Sequence, residues 1–261
     1  MSNSLKISIV TISYNQGQFL KQCIDSVLSQ NYDNFEYFIL DNCSNDNSNE
    51  ILKQLKLQKD NRVKIIEEKD NGPANALNKG FKMATGDIYY FLNSDDYLVK
   101  DTFKYVVDQF NKNPKIDILF GSGYLHDEIN NQINIFFPNK VNKKLFLKRN
   151  VCFFQQGMFF KSNIYNKTKG FNEINKSNWD AELFLDMLHY KPIIKRSFSR
   201  LAIFRIHELS ISSQKINIDQ NRIYGLEEQT LLKKIFNKII LYLHDPLWVV
   251  MTILKKIKVL K

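Results

Sequence analysis

The residues best suited to chemistry are Asn93-Ser94-Asp95-Asp96. They stand at the exit of Ile88-Tyr89-Tyr90-Phe91-Leu92, an unbroken apolar and aromatic run short enough to be a strand buried on both faces. Two adjacent carboxylates in such a place raise each other's pKa, and both lose solvent, unless a cation or hydrogen-bond donors compensate. A divalent metal carrying a phosphate would do so, because hard cations take carboxylate and phosphate oxygens together. Taken alone, the same residues are more simply a polar turn that stops the strand and caps the next helix.

Three further polar clusters follow apolar runs in the same way. Lys6 to Ser13 ends at Tyr14-Asn15-Gln16-Gly17, Phe35 to Leu40 ends at Asp41-Asn42, and Val63 to Ile66 leads to Asp70-Asn71-Gly72. Between them lie helical faces: Phe19, Leu20, Cys23, Ile24, Val27 and Leu28, then Ile51, Leu52 and Leu55, then Ala74, Leu77, Phe81 and Ala84 behind Pro73. Strand and helix in alternation predict a parallel sheet with right-handed crossovers and helices on both faces. Ligands of such sheets collect outside the carboxyl ends of the strands. Four clusters remote in sequence are therefore expected to converge on one crevice, although Asp41 and Asp70 could instead cap their own turns.

Farther along, Phe103, Val106, Val107 and Phe110 mark a helix, and Ile116 to Gly121 a strand ending in a turn at Gly121-Ser122-Gly123. Tyr124 to Phe137 reads as a polar hairpin, and Val141 to Lys148 as a short basic helix. Phe153 to Lys161 carries Gln155-Gln156, and Trp179-Asp180 opens a helix with Leu183, Phe184, Met187 and Leu188 inward. Ile193 to Arg205 gives one or two strands, and His207-Glu208-Leu209-Ser210 closes the globular part.

The 261 residues, with 20 Phe and 12 Tyr, suffice for a sizeable core, and the net charge is +10. A basic surface suits nucleic acid, anionic lipid or phosphorylated substrates. No zinc-finger spacing or ribonucleoprotein-type aromatic motif appears, so nucleic acid is set aside. No G-x-G-x-x-G follows the first strand, which argues against a dinucleotide enzyme. Cys23, Cys43 and Cys152 have no metal-ligand spacing, Cys23 sits on an apolar helix face, and no secretory signal precedes the first strand. A reducing cytoplasm is the expected compartment.

With these residues in view, the chain resembles the family 2 glycosyltransferases of the GT-A fold, especially bacterial members that build surface polysaccharide or lipopolysaccharide. The resemblance is carried by Val10 to Asp46, Glu68 to Leu98, Gln155 to Lys161, Lys169 to Glu173, Trp179 to Leu185 and Phe204 to Ser212. It implies an α/β fold, a Rossmann-like mixed sheet flanked by helices, and an inverting, metal-dependent transfer from a nucleotide-diphosphate sugar, UDP-linked, to a saccharide or lipid-linked saccharide. It assigns Thr11, Tyr14, Asp41 and Asp70 to the nucleotide. The family's DXD-type motif falls on Asn93 to Asp96, with Asp96 as ligand of Mn²⁺ or Mg²⁺. Asp95 then reaches the ribose or sugar, or orients the metal's water shell. His207 matches a histidine that completes the metal site or touches the diphosphate. Asp180 matches the base that takes the acceptor proton, against the simpler reading of a helix cap. Asn93, Gln156 and Trp179 shape the donor and acceptor pocket, Glu182 is expected to point away, and Lys79 is more simply a solvated helix lysine. A nucleotide-sugar-binding or assembly subunit without transfer activity is the rival reading.

The expected organisation is a catalytic domain over 1–224, with a nucleotide-binding half at 1–98 and an acceptor-side half at 99–224, followed by a basic amphipathic tail at 225–261. The tail holds seven lysines against Glu227, Glu228 and Asp245, a net of +4. Its apolar runs are too short to span a bilayer, which needs about 20 apolar residues. It is expected on an anionic membrane surface with Trp248 at the interface, or else packed on the catalytic domain or a dimer partner. The location implied is cytoplasmic, peripheral on the inner face of the plasma membrane.

Overall fold

The structure, a computed structural model, describes residues 4–148, 151, 153–210 and 245–256. Its spine is a nine-stranded mixed sheet in the order β3-β2-β1-β4-β8-β6-β9-β5, with β7 paired to β6. The first half follows the alternation expected from the sequence. β1 (Ile7–Ser13), β2 (Phe35–Asp41), β3 (Val63–Glu67) and β4 (Ile88–Asn93) are all parallel, linked by helices α1 (Gly17–Leu28), α2 (Ser48–Leu57) and α3 (Pro73–Met83). The short β5 (Tyr97–Leu98) and α4 (Thr102–Lys112) follow.

The second half is not a continuation of that pattern. β8 (Met158–Lys161) runs antiparallel to both β4 and β6 (Ile118–Asp127), while β9 (Ile194–Ile206) runs parallel to β6 and antiparallel to β5. β6 and β7 (Gln132–Phe136) form the hairpin. The turn expected at Gly121-Ser122-Gly123 does not exist. These residues continue β6, with a register shift against β9 around Ser122. A β-carbon at Gly121 would lie 2.2 Å from Leu201 Cδ1, and one at Gly123 would lie 2.3 Å from the Phe154 ring. Glycine here permits close packing on a bulged strand rather than a chain reversal. The remaining helices among the described residues are α5 (Lys143–Leu147), α6 (Ser162–Tyr165), α7 (Trp179–His189) and α8 (Pro246–Lys256).

Strand alternation sorts the core into two layers. Ile7, Ile9, Tyr37, Ile39, Tyr90 and Leu92 pack under α1, α2 and α4. Val10, Phe38, Leu40, Tyr89 and Phe91 pack under α3 and α7. Cys23 lies wholly in the first layer, where burial pushes its thiol up to about 12. It is core, as its helix face suggests. At the amino ends of the strands, burial alone would raise the pKa of Glu36. Hydrogen bonds from Lys6, Ser8 and Thr85 hold it below the ordinary value.

Residues 211–244 and 257–261, which contain most of the expected tail, lie outside the described residues. The part that is described packs on the domain. Asp245 is buried, accepts the backbone N–H of Lys140 at 2.7 Å, and pairs with Arg196. Trp248 Nε1 donates to the carbonyl of Phe137 at 3.0 Å, and Lys255 Nζ to that of Ile135 at 2.6 Å. Trp248 is thus committed to the edge strand β7 and its neighbour, not to a membrane interface. Capping carbonyls on the free side of an edge strand is a recurrent protection against stray pairing. No helix among the described residues is long and apolar enough to cross a membrane.

Candidate active site

A cavity of about 580 Å³ opens at the carboxyl ends of the parallel strands. Every one of the four polar loops contributes to it: Tyr14 and Gln16 after β1, Asn42 after β2, Asp70 and Gly72 after β3, and Asn93, Ser94 and Asp95 at the end of β4. Gln155, Gln156, Ser177, Trp179 and Asp180 close it from the second half of the chain, with Leu209 and Ser210 beyond β9.

The two carboxylates after β4 go separate ways. Asp95 lines the cavity, and its Oδ2 lies 3.2 Å from His207 Nε2. The His207 ring is held against Phe19, centroid to centroid 4.4 Å. Asp96 is buried beneath, with Oδ2 accepting from Gln156 Nε2 at 2.8 Å and Oδ1 from the backbone N–H of Arg205 at 3.0 Å. Burial, and then the charge of Asp95, raise the Asp96 pKa well above the carboxylate range. The expectation that Asp96 is the metal ligand is therefore corrected. Asp95 is the carboxylate presented with His207, while Asp96 ties the loop to β9 and to the Gln155–Gly157 turn. Gln156 serves that same tie.

Arg205 carries the other half of this junction and was missed in the sequence. Its Nε donates to the Asp95 carbonyl at 2.9 Å, Nη1 meets Glu128 at 3.0 Å, and the guanidinium packs over the Phe19 and Tyr97 rings at 4.6 and 5.1 Å. Its only sequence signal is its place two residues before His207.

Three buried polar atoms of residues around the cavity have no hydrogen-bond partner among the described residues: Ser13 Oγ, Gln16 Oε1 and Asn93 Oδ1. Buried polar atoms are rarely left so unless a ligand or water completes them. Among the described residues no three His, Cys, Asp or Glu side chains cluster as a metal cage. The donor set is Asp95 with His207, beside unpartnered oxygens. That set fits a cation arriving with its own phosphate and water ligands, the usual manner for Mg²⁺ and its relatives.

Asp180 stands at the second position of α7, in the cavity wall, preceded by the buried Trp179. Burial pushes its carboxyl up to about 6, against the lowering effect of the Ala181 and Asp180 backbone N–H groups. Asn178, not Asp180, holds the cap position. Glu182 points away, accepting from Asn172 and Asn175 at 2.8 and 2.6 Å and bracing the preceding loop.

On the nucleotide side, Tyr14 is 53% exposed with Lys69 Nζ 5.8 Å over its ring. Asp70 faces the cavity and also receives the Gly72 N–H at 2.7 Å, which sets the turn into α3. Thr11 and Asp41 are not brought to the cavity. Both lie on the strand parity that faces α1 and α2. Thr11 accepts from the Tyr37 hydroxyl at 2.9 Å, and Asp41 accepts the Ser44 N–H and Oγ–H, both at 2.7 Å. Asp41 caps its own turn, and the neighbouring Asn42 takes the cavity-facing place. Lys79 pairs with Glu68 at 2.8 Å outside the cavity.

A GT-A transferase scaffold is what this sheet order and crevice define, and comparison with solved structures agrees. TarS 1–349 from S. aureus in complex with UDP-GlcNAc superposes with a TM-score of 0.63 at 19% identity, covering 80% of this chain and 61% of that one. The mannosyltransferase PcManGT from Pyrobaculum calidifontis, in complex with GDP-Man and Mn²⁺, gives 0.60 at 14% identity, covering 78% and 58%. At the level of sequence, residues 8–171 match the family described as glycosyl transferase family 2. An uncharacterized glycosyltransferase of Haemophilus influenzae is 31% identical over 244 residues, 92% of this chain and 95% of the relative. The chain belongs to glycosyl transferase family 2. It spans 65% of the length of a Nostoc relative that is 26% identical, and 40% of pneumococcal GlyG, which is 36% identical over 123 residues.

Proposed function

We propose that the chain is an inverting, metal-dependent glycosyltransferase. It moves a hexosyl or N-acetylhexosaminyl group from a nucleotide-diphosphate sugar, UDP-linked, to a hydroxyl of a saccharide or lipid-linked saccharide in surface-polysaccharide or lipopolysaccharide assembly. The observation that carries this reading is one cavity lined by both Asp180, a carboxylate with a pKa of about 6, and Asp95, whose Oδ2 is backed by the buried His207 at 3.2 Å. A carboxylate at that value is ionised at neutral pH yet holds a proton better than an ordinary aspartate, as a general base must. The structural relatives bound to UDP-GlcNAc and to GDP-Man with Mn²⁺ support the donor class.

In this reading Tyr14, Asn42 and Asp70 border the nucleotide, Asp95 and His207 hold Mn²⁺ or Mg²⁺, and Trp179 and Gln155 border the sugar. The imidazole favours Mn²⁺ over Mg²⁺, which prefers an all-oxygen shell. A bound cation would neutralise the diphosphate and the charge that builds on the leaving nucleotide. Asp180 takes the acceptor proton as the hydroxyl oxygen bonds to the anomeric carbon. Arg205 and Asp96 keep the Asp95 loop in place.

The test is turnover of a panel of nucleotide sugars with Mn²⁺, using wild type and Asp180→Asn. Loss of transfer with retained nucleotide binding is expected. Normal turnover by the variant would remove Asp180 from the role of base. Donor binding without turnover by the wild type on any acceptor would leave a nucleotide-sugar-binding subunit. For the tail, membrane contact now rests on Leu247, Val250 and Ile253, each about half exposed along α8. Unchanged sedimentation with anionic liposomes after deletion of 225–261 would remove that contact from the proposal.

A further inference from the structure

The cavity has a second wall of a different kind. β6, β7 and β9 lie side by side, with Gly123 opposite Phe136 and Leu125 beside Phe204. The side chains these three strands send into the cavity are Leu125, Phe136 and Phe204, none of them polar. Phe153 and Phe154 extend the wall, and the Phe136 ring is stacked on Phe154 at 4.8 Å. Leu209, 68% exposed, marks its rim.

This wall is a poor host for a sugar ring. A saccharide hydroxyl removed from water without a partner carries a penalty of the kind that excludes polar groups from cores. These three strands offer it no polar side chain, and the backbone groups between them are paired in the β6–β7 and β6–β9 ladders. One face of the Phe136 ring is already covered by Phe154. The polar side chains of the cavity come instead from the loops after β1 to β4, from Ser177, Asp180 and Ser210, and from Gln155 and Gln156, whose amides already donate to Phe91 and Asp96.

We propose that this wall receives the hydrocarbon chain of a lipid-linked acceptor, whose saccharide end then reaches Asp180. The inference rests on the glycosyl-transfer reading and narrows its acceptor to one carrying a long apolar chain. Leu125, Phe136 and Phe204 select that chain by buried apolar area, and the cavity-facing carboxylates take no part in the selection.

The probe is a series of n-alkyl β-D-glucopyranosides from methyl to octyl, below their micellar concentrations, titrated into the full chain. Binding is read by fluorescence, since Trp179 lines the cavity. Wild-type affinity is expected to rise with chain length by up to about fourfold per methylene buried. Leu125→Asn and Phe204→Asn should flatten that slope, and Leu125→Ala, which adds no polarity, should lower it partway. Thermal shift by UDP with Mn²⁺ should stay the same in all three variants, which also shows that they fold. Equal affinity for methyl and octyl glucosides, or a slope unchanged by the substitutions, would overturn the inference. So would a concentration-dependent dimer of the wild type that Leu125→Asn abolishes, because the wall would then be covered by a second copy. Absence of the UDP–Mn²⁺ shift in the wild type would instead remove the donor side of the transferase reading, and the alkyl series would stand or fall separately.

Discussion

Residues 7–98 meet the cavity with loops, whereas β6, β7 and β9 meet it with the face of a sheet. In the first region most polar side chains at the strand tips shape the loops themselves. Asp41 holds Ser44, Asp46 holds Gly17 and Ser48, Asn15 holds the Asn45 N–H, and Asp70 holds Gly72. Those that face the cavity are Ser13, Tyr14, Gln16, Asn42, Asn93, Ser94 and Asp95, with Asp70 serving both purposes. On the sheet face the cavity-lining side chains are Leu125, Phe136 and Phe204, and shape comes from glycine. Gly157 would place a β-carbon 2.5 Å from the Gly121 carbonyl oxygen, so the 155–157 turn sits directly on the bulged β6. Loops built on short hydrogen bonds present charge, and a sheet face built on close packing presents apolar area. The two meet at the Asp95-Asp96 pair, where one carboxylate serves each side.

That meeting point is where the largest effect is expected. Asp95→Ala should lower transfer by about 10²–10³-fold, the usual cost of removing one group that stabilises transition-state charge. It should also abolish the Mn²⁺ dependence of nucleotide binding while leaving the melting temperature nearly unchanged. Asp96→Asn should do the reverse at first order. Its amide would set a donor against one of two donors, Gln156 Nε2 or the Arg205 N–H, at a cost of about 1–3 kcal/mol in denaturant unfolding. If Asp96→Asn loses metal dependence and Asp95→Ala keeps it, the division between the two sides is wrong.

The packing side is tested by Gly123→Ala. Its new methyl meets the Phe154 ring and the Ala202 carbonyl oxygen, at 2.3 and 2.4 Å in the undisturbed geometry. About 1–3 kcal/mol of stability should be lost by overpacking. An unchanged unfolding midpoint would mean that the β6 bulge tolerates a side chain and that close packing does not shape this wall.

Asp180 gives an intermediate effect. Its folded pKa of about 6 lies above the unfolded value near 3.8, so the native state holds the proton more tightly. The ionised form therefore destabilises. The penalty is absent below about pH 4, grows between about 4 and 6, and is full above that, on the order of 2 kcal/mol. Asp180→Asn should accordingly melt higher than wild type at pH 8, and the gap should close at pH 4. Wild-type transfer should be flat above pH 6 and fall about tenfold per unit below it. The smallest effect belongs to Lys79→Ala, expected within about 0.5 kcal/mol in stability and without change in nucleotide affinity. A loss of donor binding there would return Lys79 to the diphosphate.

Much of the first region could be read from the chain because its determinants are local. The apolar runs of β1 to β4, the helical faces between them and Pro73 at the start of α3 all act within a few residues. The readings that failed depend on direction or on distant partners. Thr11 and Asp41 sit on strands placed correctly, yet their parity turns them toward α1 and α2. Gly121-Ser122-Gly123 has the composition of a turn, and only Leu201 and Phe154, 80 and 31 residues away from Gly121 and Gly123, show why small residues stand in a strand. Arg205 gives no sign in its own neighbourhood that it holds the Asp95 loop.

By itself, the sequence determined that parallel strands would carry polar tips to one crevice and that acidic residues would stand there, because hydrophobic periodicity and turn chemistry act over short spans. Only the tertiary structure decided which carboxylate of an adjacent pair faces the cavity and which is buried beneath. It also decided that the opposite wall is apolar. Both outcomes depend on where β9 and the 155–157 turn dock, and that is set by contacts between residues about 60 to 110 positions apart.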